Sequence, residues 1–138
     1  MTFIDSNVLI YAADDTDIIK QRVARSIVGQ ALASEDYLVS AQVINEFSVV
    51  LFRKLKKTLD EVDGFVEVLE GIKVVPVQPS WTRRAIWIMG HYGLQFYDSL
   101  IVAAAEANGC DEILTEDLND GQVYCGMKAV NPFKRNLV

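Results

Sequence analysis

The sequence predicts an α/β domain with a mainly parallel sheet, and three observations carry that prediction. Short apolar, β-prone segments alternate along the chain with longer stretches of helical periodicity, the pattern of β-α units. The 138 residues fall within the span of one domain, predicting a single domain over 1–138. Hydrophobic residues make up 51% and charged ones 23%, enough apolar surface for a compact core and no sign of low complexity.

Thr2-Phe3-Ile4 is apolar and β-prone and runs into Asp5-Ser6-Asn7, a helix-starting group ahead of Val8-Leu9-Ile10-Tyr11. Between Ile18 and Ala33 the apolar Ile19, Val23, Ile27 and Ala31 alternate with Lys20, Arg22 and Arg25, an amphipathic helix. Tyr37-Leu38-Val39 reads as a second strand. Residues 41–54 carry Ile44, Phe47 and Leu51 at helical spacing and end in Arg53, Lys54, Lys56 and Lys57, placed to complement a helix C-terminus. Thr58 is an N-cap candidate for a helix from Leu59 to Leu69.

Residues 72–77 form a third strand stopped by Pro79, and Ser80 is a cap candidate for a helix through Trp81, Ala85, Ile88 and Met89 to Gly90. Another helix starts near Phe96 and ends at Asn108-Gly109. Residues 112–115 make a fourth strand, Asp120-Gly121 a turn, and Lys128-Ala129-Val130 a short fifth strand. The result is a three-layer α/β/α domain around about five strands, with ligands expected beyond the strands' carboxyl ends.

Charge and composition exclude several functions. Thirteen basic residues against nineteen acidic leave a net charge of −6, unfavourable for coating nucleic acid through the overall field, though a local basic patch is still compatible with brief engagement. His91 is the sole histidine, and Cys110 and Cys125 form no zinc-binding spacing, which argues against zinc and histidine chemistry. The N-terminus lacks a signal-peptide pattern, and the longest apolar run, 100–105, is far short of the ~20 residues that span a bilayer. The expectation is a soluble, cytoplasmic protein.

Four carboxylates stand out. Asp5 lies between a strand and a helix, where it can cap the helix and also be held ionised by the helix N-terminus. Glu46 lies at helical spacing with Val43, Val49 and Val50, where a charge is costly without a partner, a metal or a water-filled cleft. Asp98 begins a helix whose following residues are continuously apolar; it invites a cap reading, but Ile101 stands where a capping box needs Glu or Gln. Asp117 follows the fourth strand in an acidic loop where spacing does not separate it from Glu116 and Asp120. If such acids converge, their repulsion calls for protons or a cation, and oxygen-only ligands favour Mg²⁺, with Mn²⁺ possible. A divalent ion among carboxylates suits phosphodiester hydrolysis, which needs no histidine.

The segments Phe3-Ile4-Asp5-Ser6-Asn7-Val8-Leu9, Asn45-Glu46, Phe96-Tyr97-Asp98-Ser99-Leu100-Ile101 and Leu114-Thr115-Glu116-Asp117 resemble the PIN-domain family in order and spacing, especially the VapC-type ribonuclease toxins of VapBC toxin–antitoxin pairs. The resemblance implies strand order 3-2-1-4-5. It makes Asp5 and Asp98 the principal Mg²⁺ ligands, Asp117 the third aspartate, and Glu46 the supporting acid. Asn7 and Thr115 match polar positions that line or support the pocket. It further implies an RNA substrate, a small antitoxin protein as partner, and a homodimer. The alternative is a PIN-fold protein- or RNA-binding module with little turnover. A haloacid-dehalogenase phosphatase needs an aspartate where Asn7 stands, and a response-regulator receiver needs one where Val77-Gln78-Pro79 stands.

Arg53, Lys54, Lys56, Lys57, Arg83, Arg84, Lys134 and Arg135 are candidate RNA contacts, though such clusters are commonly solvated surface. Trp81 and Trp87, six residues apart, do not share a helical face.

Overall fold

The computed structural model describes residues 1–134. Arg135, one of the basic candidates, lies outside the described residues.

Strand β1 (Thr2–Ile4) leads through Asp5 into the short helix α1 (Ser6–Ile10) and a 3-10 turn (Tyr11–Ala13). Helix α2 (Ile18–Ala33) returns the chain to β2 (Tyr37–Ser40), and α3 (Ala41–Arg53) follows β2 directly, with Ser40 as its N-cap accepting from the Val43 amide. Helix α4 (Leu59–Leu69) opens on the predicted Thr58, which forms a reciprocal capping box with Glu61. Strand β3 (Lys73–Val75) is shorter than the predicted 72–77.

Helix α5 (Ser80–Tyr92) starts differently from expectation: Ser80 is its first residue, and Pro79 occupies the cap position without a side-chain hydrogen bond. Proline fits here because its fixed φ matches the helix and its missing N–H is one no helix start satisfies internally. The helix runs past Gly90 to Tyr92 and ends on Gly93 at φ 69°, left-handed backbone that glycine adopts without strain. Helix α6 (Phe96–Ala107) then leads to β4 (Glu112–Leu114).

The sheet has six strands in the order β3-β2-β1-β4-β6-β5, against about five predicted. Strand β6 (Met127–Val130) is the predicted fifth strand and lies parallel to β4, so the 3-2-1-4-5 order holds for the five parallel strands. The addition is β5 (Val123–Tyr124), antiparallel to β6 at the edge. Two residues are too few to display alternation. The hairpin joining them turns at Cys125-Gly126 with φ 49° and 84°, positive at both central positions as a type I′ turn requires.

Strand β1 sits in the middle, its Phe3 and Ile4 wholly buried beside Leu38 and Val39 of β2 and Ile113 of β4. Helices cover the sheet, and most of the hydrophobic core lies between them and the strands. No helix among the described residues is long and apolar enough to cross a membrane.

Candidate functional site

Chain connectivity leaves β1 in the direction of β2, while β4 flanks its other side, so the carboxyl end of β1 is a topological switch point. Ile4 and Leu114 are register partners there, and the Asp5 amide donates to the Leu114 carbonyl at 3.0 Å. Residues immediately after both strands must therefore share one crevice.

Asp5 is buried and caps α1: one carboxylate oxygen accepts from the Ser6 amide at 2.7 Å. Its other oxygen accepts from Thr115 Oγ1 at 2.9 Å and from Asn7 Nδ2 at 3.2 Å. Asn7 is the hub of the crevice. The same amide nitrogen also contacts Thr115 Oγ1 at 3.1 Å and Asp117 Oδ2 at 3.0 Å, while its Oδ1 accepts from the Glu116 amide at 3.0 Å. One side chain thus ties the end of β1 to the loop after β4, a link between positions more than a hundred apart in sequence.

That loop sorts its three acids by partner. Asp117 faces Asn7, and its own amide donates to Thr115 Oγ1 at 3.1 Å. Glu116 turns away, accepting from Tyr11 Oη at 2.9 Å and pairing with Lys20 Nζ at 2.7 Å. Asp120 accepts from the Asn131 amide at 2.9 Å, joining the turn to the residue after β6. Of the three, Asp117 is the one in the crevice with Asp5.

Glu46 reaches the crevice from α3, accepting from Ser6 Oγ at 2.9 Å and from Gln42 Nε2 at 2.6 Å. Its apolar stripe is split. Val43 is buried in the core, whereas Val49 is 46% exposed and borders open space, so Glu46 meets a cleft rather than a sealed interior. Asp98 is the third residue of α6 and caps nothing: Gln95 holds the N-cap position, and the Asp98 carboxylate makes no hydrogen bond among the described residues. Ser6 and Gln42 were not singled out as site residues. Gln42 carried a readable signal in its four-residue helical spacing from Glu46, whereas the meeting of Ser6 with Glu46 depends on the packing of α1 against α3.

Electrostatics bind the set together. Burial, opposed by the bonds from Thr115 and Ser6 and reinforced by the charges of Glu46 and Asp117, raises the Asp5 pKa from 3.8 to about 7. At Asp5 loss of solvent thus outweighs the expected pull of the α1 N-terminus toward the ionised form, and the metal-free carboxyl lies well above the usual carboxylate range. Asp98 is also pushed up, by its partial burial and then by the charges of Asp117 and Glu46. Neither Asp5 nor Asp98 forms a salt bridge among the described residues.

The oxygen-only donor set and its uncompensated repulsion fit a hard divalent cation. As the side chains stand, no group of three or more His, Cys, Asp or Glu among the described residues is disposed to hold one. Of the basic RNA-contact candidates, Lys57 pairs with Asp15 and Arg84 with Glu106; Trp87 packs against both Arg84 and His91, and Trp81 is core.

The PIN domain family profile matches residues 2–122. The chain belongs to the PIN domain family. No curated protein matches it significantly by sequence. Among solved structures it is similar to a chain of a toxin-antitoxin complex from Klebsiella pneumoniae, with TM-score 0.71, 17% identity, and coverage of 96% of this chain and 98% of that one. The sarcin-ricin loop cleaving toxin VapC20 of Mycobacterium tuberculosis gives TM-score 0.67 at 14% identity, covering 82% and 87% of the two chains. A Pyrobaculum aerophilum protein gives TM-score 0.64 at 17% identity, covering 94% and 88%. At these identities the likeness is one of fold.

Proposed function

We propose that this protein is a Mg²⁺-dependent endoribonuclease, the VapC-type toxin of a type II toxin–antitoxin pair, acting in the cytoplasm. The observation that carries the reading is the convergence of Asp5, Glu46, Asp98 and Asp117 at the switch point of a PIN-domain sheet. The toxin-antitoxin origin of one structural relative and the RNA-cleaving description of another support the substrate class. A small antitoxin and a second copy of the chain are the proposed partners.

Asp5, Asp98 and Asp117 would hold the divalent ion. When bound, that ion offsets phosphate charge and lowers the pKa of a water molecule. Asn7 joins Asp5 to Asp117 by donating to both, and the Thr115 hydroxyl joins them by donating to Asp5 and accepting from the Asp117 amide. Glu46, held by Ser6 and Gln42, orients the attacking water and takes up its proton. Water adds to phosphorus as the bond to the leaving sugar oxygen breaks, and that oxygen is reprotonated from solvent.

The test is cleavage of an RNA pool with Mg²⁺, with EDTA, and by a folded Asp98→Asn variant. The expected result is cleavage in the first case and loss in the other two. Equal cleavage by Asp98→Asn refutes the site assignment. Wild type that binds RNA and leaves it intact with Mg²⁺ establishes the binding-module alternative.

A further inference from the structure

A cavity of about 730 Å³ opens beside the carboxylates, between α3 and α6. Its volume is that of a small-molecule subsite, within the ~300–1,000 Å³ usual for such pockets. Val49 and Val50 form one wall and Tyr97 and Leu100 the other. Of the four site acids Glu46 lines the cavity, on the first wall, and Asp98 follows Tyr97 in α6 without lining it. An occupant of the cavity therefore lies beside Glu46.

We propose that this cavity is a nucleobase subsite, receiving one unstacked base next to the scissile phosphate, with Tyr97 as its stacking platform. The proposal rests on the ribonuclease reading above and deepens it.

Three features select a base as occupant. Tyr97 is 67% exposed, its hydroxyl makes no hydrogen bond among the described residues, and its one ring–ring contact there is edge-on with Phe96, so much of the ring is open to a ligand. Such exposure of a large ring costs hydrophobic free energy that a stacked base recovers. The cavity's exposed surface is mostly apolar, its neutral polar lining is Ser6, Gln42 and Asn45, and its sole charge is Glu46, which repels a phosphate and admits a neutral base. At the rim the Asn45 amide, also without a hydrogen-bond partner among the described residues, offers a donor and an acceptor to a base edge. Single-stranded RNA supplies this occupant, since its bases splay out to stack on aromatic rings.

The experiment measures equilibrium binding, by fluorescence anisotropy in Ca²⁺, of a labelled single-stranded RNA oligonucleotide and of a series with one abasic position each. Wild-type cleavage of the same RNA in Mg²⁺ is assayed in parallel. Tyr97→Ala is expected to weaken binding about 5- to 150-fold, the range for one base–aromatic stack. Tyr97→Phe is expected to restore it. One abasic position should weaken wild-type binding similarly and abolish the effect of Tyr97→Ala. Equal RNA binding by wild type and Tyr97→Ala overturns the subsite, as does an RNA loss that is the same for every abasic oligonucleotide. A Tyr97→Ala variant that loses self-association while binding RNA like wild type shows the face to be a contact between copies. Failure of wild type to cleave in Mg²⁺ sinks the ribonuclease reading separately, and the binding series still decides the subsite.

Discussion

Asp5→Asn gives the sharpest test of the site's electrostatics, with metal removed by EDTA. The native Asp5 carboxyl titrates at about 7, whereas the unfolded one titrates at 3.8. Between those values the native state holds a proton that the unfolded chain has released, so stability falls as pH rises. The contribution is fully present below about pH 4 and gone above about pH 7. A shift of about three units at ~1.4 kcal/mol each amounts to about 4 kcal/mol. With a urea m-value of about 2 kcal/mol/M, the midpoint of wild type drops by about 2 M across that window relative to Asp5→Asn. The assay is urea unfolding followed by circular dichroism at pH 4, 5, 6, 7 and 8 for both proteins. Asparagine also changes the bonds from Thr115 and Asn7, but that offset is independent of pH, so the slope is the readout. Parallel pH profiles would refute the assignment of Asp5 as a buried, repelled carboxyl. Adding Mg²⁺ at pH 8 should stabilise wild type and leave Asp5→Asn nearly unmoved.

Asn7→Ala removes the hub that joins Asp5, Thr115, Asp117 and the Glu116 amide. It should cost about 1–3 kcal/mol in urea unfolding, with Mg²⁺-dependent cleavage falling further than stability does. A fully active Asn7→Ala would show that the loop after β4 needs no such tether. Lys20→Met breaks the pair with Glu116, whose side chains are 32% and 24% exposed, so the stability loss should stay near 1 kcal/mol. Because the pair anchors the residue next to Asp117, the same variant should lower kcat/KM measurably; unchanged kinetics would confine the pair to a structural role.

Much was legible without coordinates. Periodicity located the helices and parallel strands because each buries one apolar face or is buried throughout, and burial imposes spacing on the sequence. The Thr58 capping box was readable for the same local reason, its partners lying three residues apart. The β5 edge strand has no sequence signal and the α5 cap falls on Pro79 and not Ser80, because local signals there are short or shared by neighbouring residues.

The site divides along the same line. The sequence singles out Glu46 by its costly position, Asp5 and Asp117 by their strand ends, and Asp98 by a helix start without a capping box. It did not separate Asp117 from Glu116 and Asp120, because all three occupy one acidic loop with no periodicity. Tertiary structure separated them through Asn7, Lys20 and Asn131, residues brought in by other elements. It also raised the Asp5 carboxyl well above the usual carboxylate range, since burial belongs to the packed sheet and no local pattern encodes it. The cavity beside Tyr97 is likewise a property of two helices that meet only in the folded chain. Local chemistry was thus written in the sequence, whereas the partners of each acid, and therefore its charge, were decided by contacts distant along the chain.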